Sequence, residues 1–484
     1  MLDEIIAAFA TPVGSSGLQV LRVAGPGSAE LVDKIFNFGP LPEFNEKQAK
    51  RSKRKIAKLK GYQAAFGYLH EIDDINKPLD QVVITKFIEG KSYTGEEQVE
   101  ISLHGGAALR KETLDLVLRA GARLAEAGEF TKWAFINGKM DLSQAEAVMG
   151  IIEADTYRQH QAALRHLQGE TAEKLQGVKE RVYELLSALE VDIEYPEYED
   201  FALQEELINT NLDFVLQTLN HVVKSNKKGE VLREGLQLVL VGEPNVGKSS
   251  ILNALSGEDR AIVTDIAGTT RDSIELKIDL GGIPLTLYDT AGIRETDDPI
   301  EKLGVERSKD LLNKADLLFL VLTPKDKSDL EAEIDKFLRL SAGDRDYYIV
   351  LNKLDISGEY YSNLESWEYI KKLKEEDKHF KGYLSVSANT GEAIEDLKDL
   401  VINYYENLSG SGANDLVLTS KRQQHLIESA FEVFKTIDHD RSTLPNDILA
   451  AALRQGLELI SEITGENVSE NMLDDIFSRF CIGK

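Results

Sequence analysis

Eight consecutive residues, Gly242-Glu243-Pro244-Asn245-Val246-Gly247-Lys248-Ser249, set two glycines, a lysine and a hydroxyl at the spacing that grips a polyphosphate. Glycine at 242 and 247 lets backbone N–H groups turn inward around phosphate oxygens, Lys248 reaches the β and γ phosphates, and the Ser249 hydroxyl binds Mg²⁺. Further groups follow in chain order. After Thr264-Asp265-Ile266-Ala267, Gly268-Thr269-Thr270 lies in a polar loop where a threonine, expected to be Thr270, can sense the γ phosphate and complete the Mg²⁺ shell. Asp289-Thr290-Ala291-Gly292 offers a carboxylate that reaches the metal through water and a backbone N–H for the γ phosphate. Base choice rests on Asn352-Lys353-Leu354-Asp355, because guanine presents two N–H donors where adenine has none and the Asp355 carboxylate can accept both. The wrong base would leave a buried carboxylate unpaired, which costs far more than a lost contact. Ser387-Ala388-Asn389 then supplies a loop, the Ala388 backbone above all, for the guanine oxygen. With Ser250 these residues form a candidate GTP site, GTP preferred over ATP.

Hydrolysis needs a group that positions the attacking water. Ile293 stands where a Ras-like protein carries a glutamine for that task. Glu301, after the acidic loop Glu295 to Asp298, is the candidate replacement; the alternative is a solvated glutamate favoured at a helix start by the dipole. Arg294 is either an arginine finger or a surface charge. Lys248, Thr270 and Glu301 are therefore the expected catalytic residues.

Such a site requires a strand, a loop and a helix in succession, and the apolar run Leu236 to Val241 ahead of the glycine loop, with a helical stretch from Ser250 to Leu255 behind it, supplies them. Between Gly235 and about Asn407, apolar strands (Leu317 to Leu322, Tyr348 to Leu351) alternate with helical segments, the pattern of a parallel sheet covered on both faces. Long helices are expected from Ser143 to about Lys228 and again from Ser420 to Phe480, beyond a joint at Gly410 to Gly412. One helical bundle drawn from both flanks, with the α/β unit inserted, is the economical arrangement, since either half alone buries a poor core. Before it, strands near Leu18 to Val23, Gln81 to Phe87 and Gln98 to Leu103 mix with helices near Ala29 to Phe36 and Ala107 to Arg119, an α+β domain. The expected domains are 1–120 (α+β), 121–234 (first helical part), 235–407 (GTPase) and 408–484 (second helical part). No internal repeat is apparent.

A net charge of −27 argues against a protein that coats nucleic acid, so any RNA contact is local. Lys47, Lys50, Arg51, Lys53, Arg54, Lys55, Lys58 and Lys60 break the acidic trend without an acid among them: either a solvated edge or a phosphate-contacting patch. A single cysteine, Cys481, excludes an internal disulfide and fits a reducing, cytoplasmic setting. The apolar stretch Ile5 to Phe9 follows acids, unlike a signal peptide, and no run approaches membrane-spanning length.

The chain resembles the MnmE (TrmE) family of tRNA uridine-modification GTPases. The likeness is carried along the whole chain by Ala10-Thr-Pro with Arg22, Ser92 to Glu100, His104-Gly-Gly106, Gly128-Glu-Phe130, Ala134 to Lys139, Asp141 to Glu146, Pro244 to Ser250, Thr264 to Asp272 and Phe480-Cys-Ile-Gly-Lys484. It implies a Ras-like P-loop domain inserted into a helical bundle, preceded by a domain similar to tetrahydrofolate-binding folds through which the protein dimerises. It also implies a 5-formyl- or methylene-tetrahydrofolate one-carbon donor near Arg22, Glu100, Lys139 and Lys484. K⁺ would replace an arginine finger, held by Asn245, Thr264, Ile266 and Thr269, and Cys481 would take part in tRNA modification. Asn389 departs from the lysine many such GTPases carry, and Glu243 is a variable loop position.

The implied function is a K⁺-activated GTPase that works with the flavoprotein MnmG, the source of FAD, to install an aminomethyl or carboxymethylaminomethyl group at C5 of the wobble uridine of tRNA. The competing reading is a regulatory or assembly GTPase switch without modification chemistry. The guanine site serves both; the N-terminal block and the tail from Cys481 to Lys484 favour modification.

Overall fold

In a computed structural model of the chain, the described residues are 4–41, 52–194, 201–257, 274–289, 311–312, 314–323, 327–340, 345–356, 367–409, 418, 420–440 and 444–483. They divide into two compact units, one of residues 1–149, 167–208 and 436–484, the other of residues 150–166 and 209–435.

The first unit begins with a seven-stranded sheet. Its elements are β1 (Ile6–Phe9), β2 (Ser16–Ala24), α1 (Ser28–Val32), β3 (Phe36–Phe38), β4 (Gln63–Glu71), β5 (Asp74–Phe87), β6 (Gln98–Gly105), α2 (Ala107–Ala120), β7 (Arg123–Leu124) and α3 (Glu129–Ile136). The strand order is β3-β4-β5-β6-β2-β1-β7, antiparallel except where β1 meets β7. Period-2 alternation decides the faces. Leu21, Val23, Ile84, Val99 and Ile101 enter a core shared with Ala29, Val32, Leu116 and Val117 of the helices, while Arg22 and Glu100 face each other across β2 and β6 on the opposite side. The helix expected to run to Phe36 stops at Val32, because Phe36 pairs with Leu69 as a strand.

Four helices follow: α4 (Leu142–Glu153), α5 (Tyr157–Leu167), α6 (Glu170–Glu194) and α7 (Phe201–Glu234). In α6, Leu175, Val178, Val182, Leu185 and Leu189 are buried at spacings of three and four, one apolar stripe.

The second unit holds β8 (Leu236–Val241), α8 (Lys248–Ser256), β9 (Ile274–Leu280), β10 (Ile283–Asp289), β11 (Leu317–Leu322), α9 (Lys327–Leu340), β12 (Tyr347–Leu351), α10 (Glu368–Glu376), β13 (Phe380–Ser385) and α11 (Ile394–Ser409). The sheet order is β13-β12-β11-β8-β10-β9, parallel except for β9. Its central strands are apolar without alternation because both faces are covered. Leu238 and Leu240 pack with Ile251, Leu255, Leu397 and Val401 from α8 and α11. Val239 and Val241 pack with Ile334, Phe337, Ile370 and Leu373 from α9 and α10.

The chain closes with α12 (Lys421–Asp440), α13 (Asn446–Thr464) and α14 (Glu470–Ser478). Helix α13 lies against α6, so the first unit takes helices from both flanks of the α/β unit. Lys179 of α6, 4% exposed, donates through Nζ to Thr464 Oγ1 at 3.0 Å and pairs with Glu466. Gly465 ends α13 with φ +88°, where a β-carbon would stand 2.7 Å from the Phe135 ring. Helix α14 brings Phe477 into a cluster with Phe480, Leu142 and Ala145. The joint expected at Gly410 to Gly412 lies outside the described residues.

Candidate functional site

The loop between β8 and α8 is held in a curl by three residues. Gly242, φ +155°, lies so close to β11 that a β-carbon would meet the Val321 carbonyl oxygen at 2.2 Å. Gly247, φ +96°, would put a β-carbon 2.1 Å from Asn352 Nδ2. Asn245 between them takes φ +67°, a left-handed geometry that asparagine tolerates better than most residues. Lys248, 7% exposed, donates from Nζ to the carbonyls of Gly242 at 2.8 Å and Glu243 at 3.0 Å, which ties the helix start to the far side of the loop.

Asn352, at the end of β12, joins the phosphate loop to the base loop. It is 2% exposed; Nδ2 donates to the Val246 carbonyl at 2.8 Å, and Oδ1 accepts from the Ala388 N–H at 3.1 Å. The Ala388 N–H, expected to meet the guanine oxygen, is bonded to this side chain. Lys353, φ +65°, reaches back and donates to the Asn245 carbonyl at 2.9 Å. The fully buried Ser387 donates through Oγ to Asp355 Oδ1 at 2.7 Å, which aims the carboxylate.

A cavity of about 730 Å³ opens between these loops, within the size range of small-molecule sites. Of the expected GTP residues, Asn245, Gly247, Lys248, Ser249, Ser250, Asn352, Lys353, Asp355, Ala388 and Asn389 line it. Val246 and Leu354 do not: they turn their side chains into the two cores of the sheet. Ser387 acts from behind, through Asp355. Asp289 closes β10 and pairs in register with Leu240. Thr264, Asp265, Ile266, Ala267, Gly268, Thr269, Thr270, Thr290, Ala291, Gly292, Ile293, Arg294 and Glu301 lie outside the described residues.

Pro244 of the glycine-rich loop also forms part of the wall. One lining residue escaped sequence reasoning: Ile356, 78% exposed, stands beside Asp355 at the cavity. An apolar residue directly after Asp355, the expected base reader, was the available signal for Ile356. Glu243 also gains a role: its carboxylate pairs with Lys336 of α9 at 3.0 Å. Nearby Glu333 has one carboxylate oxygen, Oε2, buried without a hydrogen-bond partner among the described residues. Burial first, then the charges of Asp329 and Glu243, push its carboxyl up to about 7.

In the first unit, Arg22 and Glu100 form an ion pair at 3.0 Å, with the guanidinium over the rings of Tyr93 at 5.3 Å and Phe130 at 5.5 Å. Gln98 donates to the same carboxylate oxygen at 3.1 Å, and Arg22 Nη1 donates to the Gly483 carbonyl at 3.5 Å. The tail is seated there by Ile482, which bridges to Ala127, and by Gly483, φ +94°, whose β-carbon would meet the Phe9 carbonyl oxygen at 2.1 Å. Cys481 is exposed, and its carbonyl accepts from the Gly128 N–H at 3.4 Å. Arg22 and Glu100 are thus brought together beside the tail, whereas Lys139 donates to the Gly90 carbonyl at 2.9 Å. Lys484 lies outside the described residues. No helix among the described residues is long and apolar enough to cross a membrane.

Comparison with known proteins adds two family matches: the TrmE N-terminus of GTP-binding proteins over residues 5–139 and the MnmE helical domain over residues 142–481. Three relatives, each named tRNA modification GTPase MnmE, align along the entire chain. That of Aquifex aeolicus is 40% identical over 100% of this chain and 100% of its own. The Carboxydothermus hydrogenoformans protein is 38% identical with 100% of both covered, and the Acetivibrio thermocellus protein 35% identical with 100% and 99% covered.

Proposed function

The chain belongs to the MnmE family of tRNA modification GTPases, and from that membership we propose that it binds and hydrolyses GTP in the course of tRNA modification. The observation that carries the nucleotide half of this reading is Asn352, bonded at once to the phosphate loop and to the base loop around one cavity. Asp355, aimed by Ser387, is the guanine reader, and Lys248 with Ser249 faces the phosphates. Titration with guanine and adenine nucleotides tests it: saturable, guanine-selective binding is expected, and equal affinity for both bases would overturn it.

The finer reading extends this. Ser249 and Thr270 would hold Mg²⁺, and Asn245, Thr264, Ile266 and Thr269 would hold K⁺. Ser249 and Asn245 carry hard oxygen donors at the cavity wall beside Lys248, which suits such cations. When bound, the ions supply positive charge where negative charge builds up during phosphoryl transfer. Glu301 would position the attacking water; Glu301→Ala should keep GTP affinity and lose turnover.

The one-carbon donor would be a formyl- or methylene-tetrahydrofolate at Arg22, Glu100, Lys139 and Lys484. A guanidinium over two aromatic rings, paired with a carboxylate, suits a pterin with an acidic tail. The remaining elements of the proposal are a homodimer through the N-terminal domain, the flavoprotein MnmG as partner, the wobble uridine C5 as target, and work in the cytoplasm. Deleting the gene should abolish the aminomethyl-type wobble nucleosides, read by mass spectrometry. An unchanged profile, with no redundant enzyme, would favour a GTPase switch instead.

A further inference from the structure

Between β3 and β4 the chain carries Lys53, Arg54, Lys55, Lys58 and Lys60, all exposed, and none makes an ion pair among the described residues. This segment is anchored rather than draped. Asn37 Oδ1 accepts from the Ser52 N–H at 2.8 Å, and Asp33 accepts from the N–H groups of Ile56 at 2.7 Å and Ala57 at 3.3 Å. Ile56 is fully buried, and Lys86 Nζ donates to the Ala57 carbonyl at 2.8 Å. The Arg54 guanidinium lies 4.7 Å over the Phe38 ring. The Asp33 carboxylate thus takes backbone donors of the segment rather than one of its cations, and Lys86 pairs with Glu97.

Tyr62 follows directly. Its φ is +61°, a left-handed conformation that a bulky side chain adopts only under constraint, and it is 64% exposed. The hydroxyl donates to the Lys91 carbonyl at 2.8 Å, and the ring stands edge-on to Phe87 at 5.7 Å. A strained backbone thus holds an aromatic ring out toward solvent at the end of a row of uncompensated cations.

We propose that residues 53–62 form an RNA-binding surface, with Lys53, Arg54, Lys55, Lys58 and Lys60 on backbone phosphates and Tyr62 stacked on an unpaired base. The pairing of a cationic track with an exposed ring is the physical recipe for single-stranded nucleic acid, which needs both phosphate neutralisation and a π-face. In a chain of net charge −27 a polyanion finds few places to land, and a local strip of this kind lets RNA dock in one register. The inference rests on the tRNA reading above and adds where the RNA sits.

The test uses the full chain and an unmodified tRNA transcript, with affinity measured across a salt series. Replacing Lys53, Lys55 and Lys58 together by alanine is expected to weaken binding at least about tenfold and to lower the slope of log affinity against log salt by about 2 to 3. Tyr62→Asn keeps a residue that tolerates the left-handed backbone but removes the ring; it should weaken binding by about 5- to 100-fold with the slope unchanged. Tyr62→Phe should bind within about twofold of the parent, since stacking needs only the ring. Guanine-nucleotide affinity and melting temperature should be unchanged in all three. Parent affinity and slope in the triple variant, or equal affinity for Tyr62→Asn and Tyr62→Phe, would overturn the surface. Intact tRNA binding with lost capture of a protein partner would assign the strip to that protein and overturn it too. No saturable tRNA binding by the parent would instead sink the substrate reading on which it stands.

Discussion

Asn352 satisfies two backbone groups with one buried side chain, and chemistry of that kind fixes the residue type. Asn352→Ala leaves the Val246 carbonyl and the Ala388 N–H unpaired, each at about 1–3 kcal/mol. Guanine-nucleotide affinity should fall by about ten- to a hundredfold, as a fluorescent-nucleotide titration would read; an unchanged affinity would refute the clamp. The same logic explains which parts of the site were legible. Gly242, Gly247, Lys248, Asn352 and Asp355 were singled out from sequence by residue type and spacing, and the fold gathers the last four around one cavity. Ile356 only shapes the wall, a task open to many side chains, so its apolar type after Asp355 was a weak signal. Ser387, expected as part of the loop for the guanine oxygen, also donates to Asp355 Oδ1, a relation visible only in three dimensions.

Helix α9 carries Glu333 beside the phosphate loop. Its carboxyl lies at about 7 in the fold against an ordinary 4.5, raised first by burial and then by Asp329 and Glu243. Folding therefore takes up a proton between those values, and stability falls as pH climbs through the window. Glu333→Gln should raise the melting temperature relative to the parent at pH 8, with the gap closing near pH 5; a gap that does not depend on pH would exclude this titration. In the first unit, Gly465→Ala would force a side chain into a left-handed cap, about 1–2 kcal/mol from backbone alone, and against Phe135 and Leu142. A lower melting temperature with normal nucleotide affinity is the expected result. The apolar stripes of α6 and α13 could be read from spacing. Buried Lys179 could not, since its partner Glu466 lies 287 residues away in the chain. Nor could the early end of α1, where strand pairing of Phe36 overrides a helical pattern.

Over the whole molecule, the fold class was legible because alternating apolar strands and helices between helical flanks permit few arrangements. The seat of the C-terminal tail was not, because contact between Gly483 and Phe9 leaves no local pattern. Gly483→Ala cannot keep the 2.1 Å approach to the Phe9 carbonyl and should unseat the tail. Wobble modification in cells should drop while GTP affinity of the purified chain holds, since the nucleotide cavity belongs to the other unit. Full modification with Gly483→Ala would dissociate the tail from that chemistry.

The pairing of α6 with α13 also has a consequence for biosynthesis. About 250 residues separate the two helices, so at roughly 5–20 residues per second the apolar stripe of α6 emerges from the ribosome some 10 to 50 seconds before its cover is translated. The intervening nucleotide-binding unit is complete within that interval and can fold first. A nascent chain arrested just past α12 should therefore already retain guanine nucleotide, yet expose Val182 and Leu185 as a handle for chaperones until the last helices are made.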